Sequence, residues 1–154
     1  TNLSACVWGC REASGHMIKR RKGSILIIGS TATFHPLYKE SAYRISKTGL
    51  VAFMEVLAIE LIPFGIRVNM IIPGGFETKM TKDFFVSDTA KILKGEIPMR
   101  RFGLPKEVGP SAVLLLSDKL SGYTMGEVLT IDGGVKLHPH AIYTDEDITK
   151  MNEA

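Results

Sequence analysis

Apolar side chains recur at Leu3, Val7, Trp8, Cys10, Met17 and Ile18, and spacings of mostly three and four predict a helix over residues 3–20. Lys19, Arg20, Arg21 and Lys22 crowd its last turn, where cations suit the helix dipole, and Gly23 is placed to stop it. Four adjacent basic residues there read as a solvated helix end rather than a phosphate site. Ile25-Leu26-Ile27-Ile28, continuously apolar between Gly23 and Gly29, has the pattern of a strand buried on both faces. A loop with Thr31, Thr33, His35 and Pro36 follows. A second helix is expected from about 41 to 62, with Ile45, Leu50, Phe53, Met54, Leu57, Ala58 and Leu61 on its apolar faces. Pro63-Phe64-Gly65 ends it. Residues 66–72 form a further buried strand, cut off by Pro73-Gly74-Gly75.

Residues 76–103 are the least regular stretch, with Phe76, Phe84, Phe85 and Ile92 scattered among Lys, Asp and Thr. They are expected to be pieces of helix near a ligand, or a flap. Pro105 opens a third helix through about residue 117, and Pro110 must either bend it or push its start later. Residues 127–131 are a third strand, and Asp132-Gly133-Gly134 turns out of it. The tail 135–154, with Asp145, Glu146 and Asp147, is expected to add a small helix. Strand, helix, strand, helix, strand with short connections means an α/β fold with a parallel sheet. Three strands are too few to complete such a sheet, and the side that should continue is the N-terminal one. The chain also opens on Thr1-Asn2-Leu3 without an initiator Met, so it is expected to be part of a longer chain or to have lost its start.

Length and composition narrow the classes. At 154 residues there is room for one domain with a core, not for two. Apolar runs as short as Val113–Leu116 exclude a transmembrane helix, and no signal-peptide pattern is present. A net charge of +3 is too weak to argue for nucleic acid. Two cysteines make no disulfide framework, which points to a reducing, cytoplasmic setting. Cys6 and Cys10, four apart on a helix, read as packing residues, and His138 and His140 as exposed tail residues. No metal site is expected. Gly-x-Ser-x-Gly, His-Glu-x-x-His, Cys-x-x-Cys and the P-loop lysine motif are all absent from the sequence.

The chemistry concentrates at Ser30, Tyr43 and Lys47. Tyr43 and Lys47 stand four apart in a helix and leave it on one face. A tyrosine hydroxyl, with an ordinary pKa of about 10, is a poor acid–base group at neutral pH, and a nearby ammonium favours its phenolate form. Ser30 follows a buried strand at the end where open α/β sheets seat ligands, so its hydroxyl can hold a substrate oxygen while Tyr43 moves the proton. Each feature alone is ordinary turn or surface chemistry; strand, Gly29-Ser30, Tyr43 and Lys47 together are specific.

With these residues in view, the sequence resembles the short-chain dehydrogenase/reductase family over residues 1–134. Gly23–Ser30 resembles the strand leading to its serine, and Tyr43-Arg44-Ile45-Ser46-Lys47 its Tyr-x-x-x-Lys. Residues 65–69 with Pro73, Gly74 and Thr78 are similar to the strand and loop that meet the nicotinamide, and residues 101–108 and 126–134 to its closing segments. The resemblance is strongest to 3-oxoacyl carrier-protein reductases and sugar-acid dehydrogenases. It implies a Rossmann-like, doubly wound parallel sheet and an NAD- or NADP-dependent interconversion of a small alcohol and its ketone. In it Tyr43 is the general acid/base, Lys47 assists it and contacts the nicotinamide ribose, and Ser30 orients the substrate oxygen. Asn2 sits where the family has a proton-relay asparagine, although a helix cap would also suit it. Pro73, Gly74 and Thr78 are implied cofactor contacts. A homodimer or homotetramer through helices 3–20 and 43–62 is implied too.

The departures are as informative. The family's Thr-Gly-x-x-x-Gly-x-Gly loop and its Asn-Asn-Ala-Gly strand have no counterpart here, and Gly109-Pro110 interrupts a helix that the family keeps regular. The expectation is therefore the catalytic C-terminal portion of the fold without its dinucleotide half. The alternative is a non-catalytic chain that serves as an interaction module.

Overall fold

Every residue from Ile66 to Ile72 is buried, and this run, β2 (Ile66–Pro73), is the middle strand of a three-stranded parallel sheet. The structure is a computed structural model that describes residues 2–36, 38–78, 88–137 and 149–150. On one side of β2 lies β1 (Gly23–Ile28), in a register that sets Ile25 beside Val68 and Ile27 beside Met70. On the other lies β3 (Val128–Ile131), with Met70 beside Val128. The helices are α1 (Asn2–Arg20), α2 (Ser41–Leu61), α3 (Asp88–Glu96), α4 (Gly109–Leu116) and the one-turn α5 (Asp118–Ser121).

Strand alternation gives β2 two different faces. Ile66, Val68, Met70 and Ile72 join Ile25 and Ile27 in the core built against α1 and α2, where Cys10, Leu50, Met54 and Leu57 close the space. The opposite face carries Arg67 and Asn69, both buried. Arg67 Nη1 donates to Leu115 O at 2.8 Å and Nη2 to Leu116 O at 3.2 Å, so the guanidinium caps the C-terminal carbonyls of α4. It also meets Asp118 Oδ1 at 3.1 Å and Thr124 O at 3.4 Å. Asn69 Nδ2 donates to Thr124 O at 3.2 Å, and its Oδ1 accepts from Glu127 N at 3.0 Å. Two polar side chains in an apolar strand thus fasten the whole connection from α4 to β3. Helical elements on both faces of a parallel sheet are the doubly wound arrangement expected.

Several boundaries differ from the expectation. Arg21, not Gly23, ends α1: it takes the left-handed region (φ 49°), and Lys22 N closes on Met17 O at 3.3 Å. Gly23 already belongs to β1. Pro110 does push the third helix later, because Pro105–Glu107 forms a separate 3-10 turn and α4 begins at Gly109 with the proline in its first turn. In the turn ahead of it, Arg101 makes a two-pronged pair with Glu107 (2.8 and 2.7 Å), and Leu104 N donates to the same carboxylate at 2.7 Å. The Arg101 hydrogen bond first, then that of Leu104, holds the Glu107 carboxyl down at about 2. Helix α5, capped by Ser117, was not expected. Within 76–103, Phe76 bridges to Gly103 and α3 is helical, while residues 79–87, with Phe84 and Phe85, lie outside the described residues. Most of the tail does too, including His138, His140 and Asp145–Asp147; residues 135–137 form a 3-10 turn and 149–150 are helical. Burial, and secondarily Cys6, pushes the Cys10 thiol up to about 12, which fits packing rather than reactivity. No helix among the described residues is long and apolar enough to cross a membrane.

Candidate functional site

Three segments run out together at the C-terminal edge of the sheet. Beyond β1, Gly29 N still bonds to Ile71 O at 2.8 Å, and Ser30 then stays extended. The Ser30 Oγ accepts from Ala32 N at 3.2 Å, capping a 3-10 turn over Thr31–Thr33. Among the described residues the hydroxyl donates to no protein acceptor. In α2, Lys47 Nζ donates to Ile28 O at 3.0 Å and stands 5.8 Å from the centroid of the Tyr43 ring. One ammonium therefore ties the last residue of β1 to the helix that carries the tyrosine.

Past β2, Gly74 N bonds to Ile131 O at 2.9 Å. A Cβ on Gly74 would stand 2.8 Å from Asp132 Cα, which is why this position excludes a side chain. Asp132 in turn accepts from Gly134 N (2.8 Å) and Lys136 N (2.6 Å), fixing the turn after β3 against Gly74.

These ends open on one cavity of about 700 Å³, whose lining includes Ser30, Tyr43 and Gly74. That volume is within the range of small-molecule and cofactor sites. Tyr43 is 38 % exposed and reaches it from the first turn of α2. The lining also includes the apolar Leu93, Ile97, Phe102 and Val135. Of the other expected residues, Pro73 is the half-buried last residue of β2 and Thr78 is exposed beyond the Phe76 bridge; neither is part of this lining. Asn2 is the exposed first residue of α1. Its neighbour Leu3 packs over Gly49, two residues past Lys47, and no hydrogen bond joins Asn2 to Ser30, Tyr43 or Lys47 among the described residues. No cluster of three or more His, Cys, Asp or Glu side chains suited to a metal occurs among those residues.

Sequence reasoning overlooked His35, Glu40 and Glu96, which also line the cavity. Glu40 had a local signal, since it directly precedes α2 and stands three residues before Tyr43. Glu96 had none, because it arrives from the end of α3.

A parallel α/β sheet with a ligand-sized cavity at the carboxyl ends of its strands defines a class, the nucleotide-type doubly wound proteins. The comparisons name the family. The model of the family described as enoyl-(acyl carrier protein) reductase matches residues 1–136, and the chain belongs to this family of short-chain dehydrogenases/reductases. It is 42% identical over 137 residues to a 3-oxoacyl-[acyl-carrier-protein] reductase of Bos taurus, covering 89% of this chain and 55% of that protein. It is 39% identical over 137 residues to carbonyl reductase family member 4 of Xenopus laevis, with the same two shares. Its fold matches the crystal structure of a gluconate 5-dehydrogenase from Burkholderia cenocepacia J2315, in complex with NADP and tartrate, at a TM-score of 0.83 and 25% identity, covering 88% of this chain and 53% of that one. The chain thus spans about half the length of the curated relatives that it matches.

Proposed function

We propose that this chain carries the catalytic portion of an NAD(P)-dependent oxidoreductase that interconverts a secondary alcohol and a ketone, with Tyr43 as general acid/base. The observation that carries the reading is that Ser30 and Tyr43 line one cavity while the Lys47 ammonium lies 5.8 Å from the tyrosine ring. The Ser30 hydroxyl donates to the carbonyl oxygen and fixes its direction. Tyr43 gives its proton to that oxygen in reduction and takes it back in oxidation. The positive charge of Lys47 favours the phenolate left behind. Asn2 is assigned the relay of protons to Lys47 through water. A nicotinamide cofactor, NAD or NADP, supplies the hydride chemistry when bound. The residues on the cavity fit its nicotinamide end: Tyr43, with Lys47 beside it, would offer groups to the ribose and Gly74 its backbone to the ring, while Pro73 and Thr78, off that lining, are assigned to the same cofactor. Relatives named for ketone reduction and a neighbour crystallised with NADP support this.

Lys47→Ala is expected to lower turnover of a simple ketone by roughly a hundredfold and to weaken cofactor binding. Steady-state rates and a fluorescence titration with NADPH check both; no change in either removes Lys47 from the site.

A second reading, self-association as a homodimer or homotetramer, is favoured by a separate observation. Ile45, Val56 and Ile59 form an exposed apolar stripe on α2, with Ile45 70% and Ile59 74% exposed, and Trp8 is exposed on α1. Sedimentation at micromolar concentration is expected to show a dimer or tetramer, and Ile45→Glu/Ile59→Glu is expected to dissociate it. A monomeric wild type would refute this.

A further inference from the structure

The exits of β1 and β3 are joined although the two strands are not neighbours. β2 lies between them, so the strand ends stand roughly 10 Å apart, twice the ordinary spacing. The bridge starts in the turn after β3. Asp132 accepts from Gly134 N and Lys136 N through its two carboxylate oxygens, and Leu137 N bonds to Gly134 O at 3.0 Å, which sets residues 135–137 as a 3-10 turn. From that turn the Lys136 ammonium reaches a point 5.2 Å from the centroid of the Phe34 ring, within range of a cation–π contact. Phe34 closes the 3-10 turn after β1, where its N–H donates to Thr31 O at 2.9 Å, and it packs against the main core. The same turn is capped by Ser30 Oγ, which accepts from Ala32 N. Both segments reach the cavity, one through Val135 and the other through Ser30 and His35.

We infer that Lys136 is a positioning residue for the reaction proposed above, and the inference rests on the role given there to Ser30. By strapping the turn after β3 to Phe34, it fixes the turn that Ser30 caps, and with it the direction of the Ser30 hydroxyl. A 3-10 turn has poorer hydrogen-bond geometry than an α-helix, so this one depends on what holds it from outside. Thr33 Oγ1 is buried in it without a hydrogen bond among the described residues, and Arg44 Nη2 reaches Thr33 O only at 3.5 Å. The strap also has a firm base, because Asp132 lies against Gly74. It therefore links the serine that holds the ketone oxygen to the turn that meets the cofactor. The two lysines divide the work: Lys47 acts on Tyr43 from α2, and Lys136 acts on Ser30 from beyond β3.

Hydrogen exchange of the Ala32 amide, read by NMR, reports the Ser30 hydroxyl without any ligand, since that amide donates to Ser30 Oγ. Lys136→Met keeps most of the side chain's length and removes its charge. It is expected to speed the exchange about threefold, the worth of an exposed cation–π contact. Lys136→Arg, whose guanidinium also stacks on a ring, is expected to exchange at about the wild-type rate. Phe34→Leu is expected to speed exchange at least as much as Lys136→Met, and combining the two to add nothing, because both remove one contact. With cyclohexanone and NADPH, Lys136→Met should lower kcat about threefold, leave the KM for NADPH unchanged, and have no further effect in a Ser30→Ala background. Any of five results would overturn the inference: unchanged Ala32 exchange, Lys136→Arg as fast as Lys136→Met, additivity with Phe34→Leu, an unchanged kcat, or a kcat loss that persists in Ser30→Ala. The exchange measurements need no catalysis, so a wild type without turnover but with this exchange pattern counts against the catalytic reading alone.

Discussion

Tyr43→Phe is expected to lower kcat for ketone reduction by about 10²–10⁴-fold while the cofactor still binds. The substitution removes one oxygen and keeps the ring, so the cavity wall and the ring's position 5.8 Å from Lys47 Nζ are retained. The bond from Lys47 Nζ to Ile28 O does not involve the tyrosine and also persists. Only the proton donor is lost. Ser30 can still hold a carbonyl oxygen but cannot replace the acid, since its hydroxyl is a far weaker one. Rates in the protein that carries this sequence, measured beside a titration with NADPH, separate the effects. Turnover within about twofold of the wild type would move the acid/base role to another group. Loss of cofactor binding in parallel with turnover would instead make the hydroxyl a binding contact.

Most of the architecture was legible because it depends on local patterns. Ile25–Ile28 is continuously apolar and the run 66–72 has five apolar residues out of seven, and both became strands. β2 is buried throughout from Ile66 to Ile72, whereas in β1 only Ile25 and Ile27 are buried and Ile28 is exposed, short of the burial on both faces expected of it. The helical spacing of Leu50, Met54, Leu57 and Leu61 is the core face of α2. Ser30, Tyr43 and Lys47 were legible for a similar reason, since a strand end and a four-residue helical step are short-range features. The rest depends on partners distant in sequence. The role of Arg67 has no local mark, because its acceptors stand 48 to 57 residues away. Glu96 reaches the cavity from α3, and nothing near it in sequence marks that destination. α1 ends at Arg20, where the pattern placed it, but the stop signal differs: Gly23 is the residue that favours a left-handed turn, whereas Arg21 adopts one, leaving Gly23 free for β1.

Arg67→Ala is expected to destabilise the fold by about 3 kcal/mol, on the order of 10 °C in Tm. The side chain is 9% exposed and bonds to carbonyls of Leu115, Leu116 and Thr124 as well as to Asp118. Its loss leaves several buried acceptors unpaired, which costs more than the bonds were worth in net terms. It also frees the C-terminus of α4, and with it the connection that sets β3 beside β2. Arg67→Lys should recover less than half, because one ammonium cannot reach two helix carbonyls and a carboxylate at once. The pH profile distinguishes this account from a simple cavity. The hydrogen bond from Arg67, ahead of that from Lys22, holds the Asp118 carboxyl below its ordinary value. A depressed carboxylate adds stability at neutral pH that disappears as the pH falls through its folded-state value, below the usual carboxylate range. Thermal melts of the wild type should therefore show a loss on acidification from which the Asp118 share, but not the Glu107 share, is missing in Arg67→Ala. A variant within about 0.5 kcal/mol of the wild type at neutral pH, or one with the same acid limb, would show that the guanidinium does not hold the α4–β3 connection.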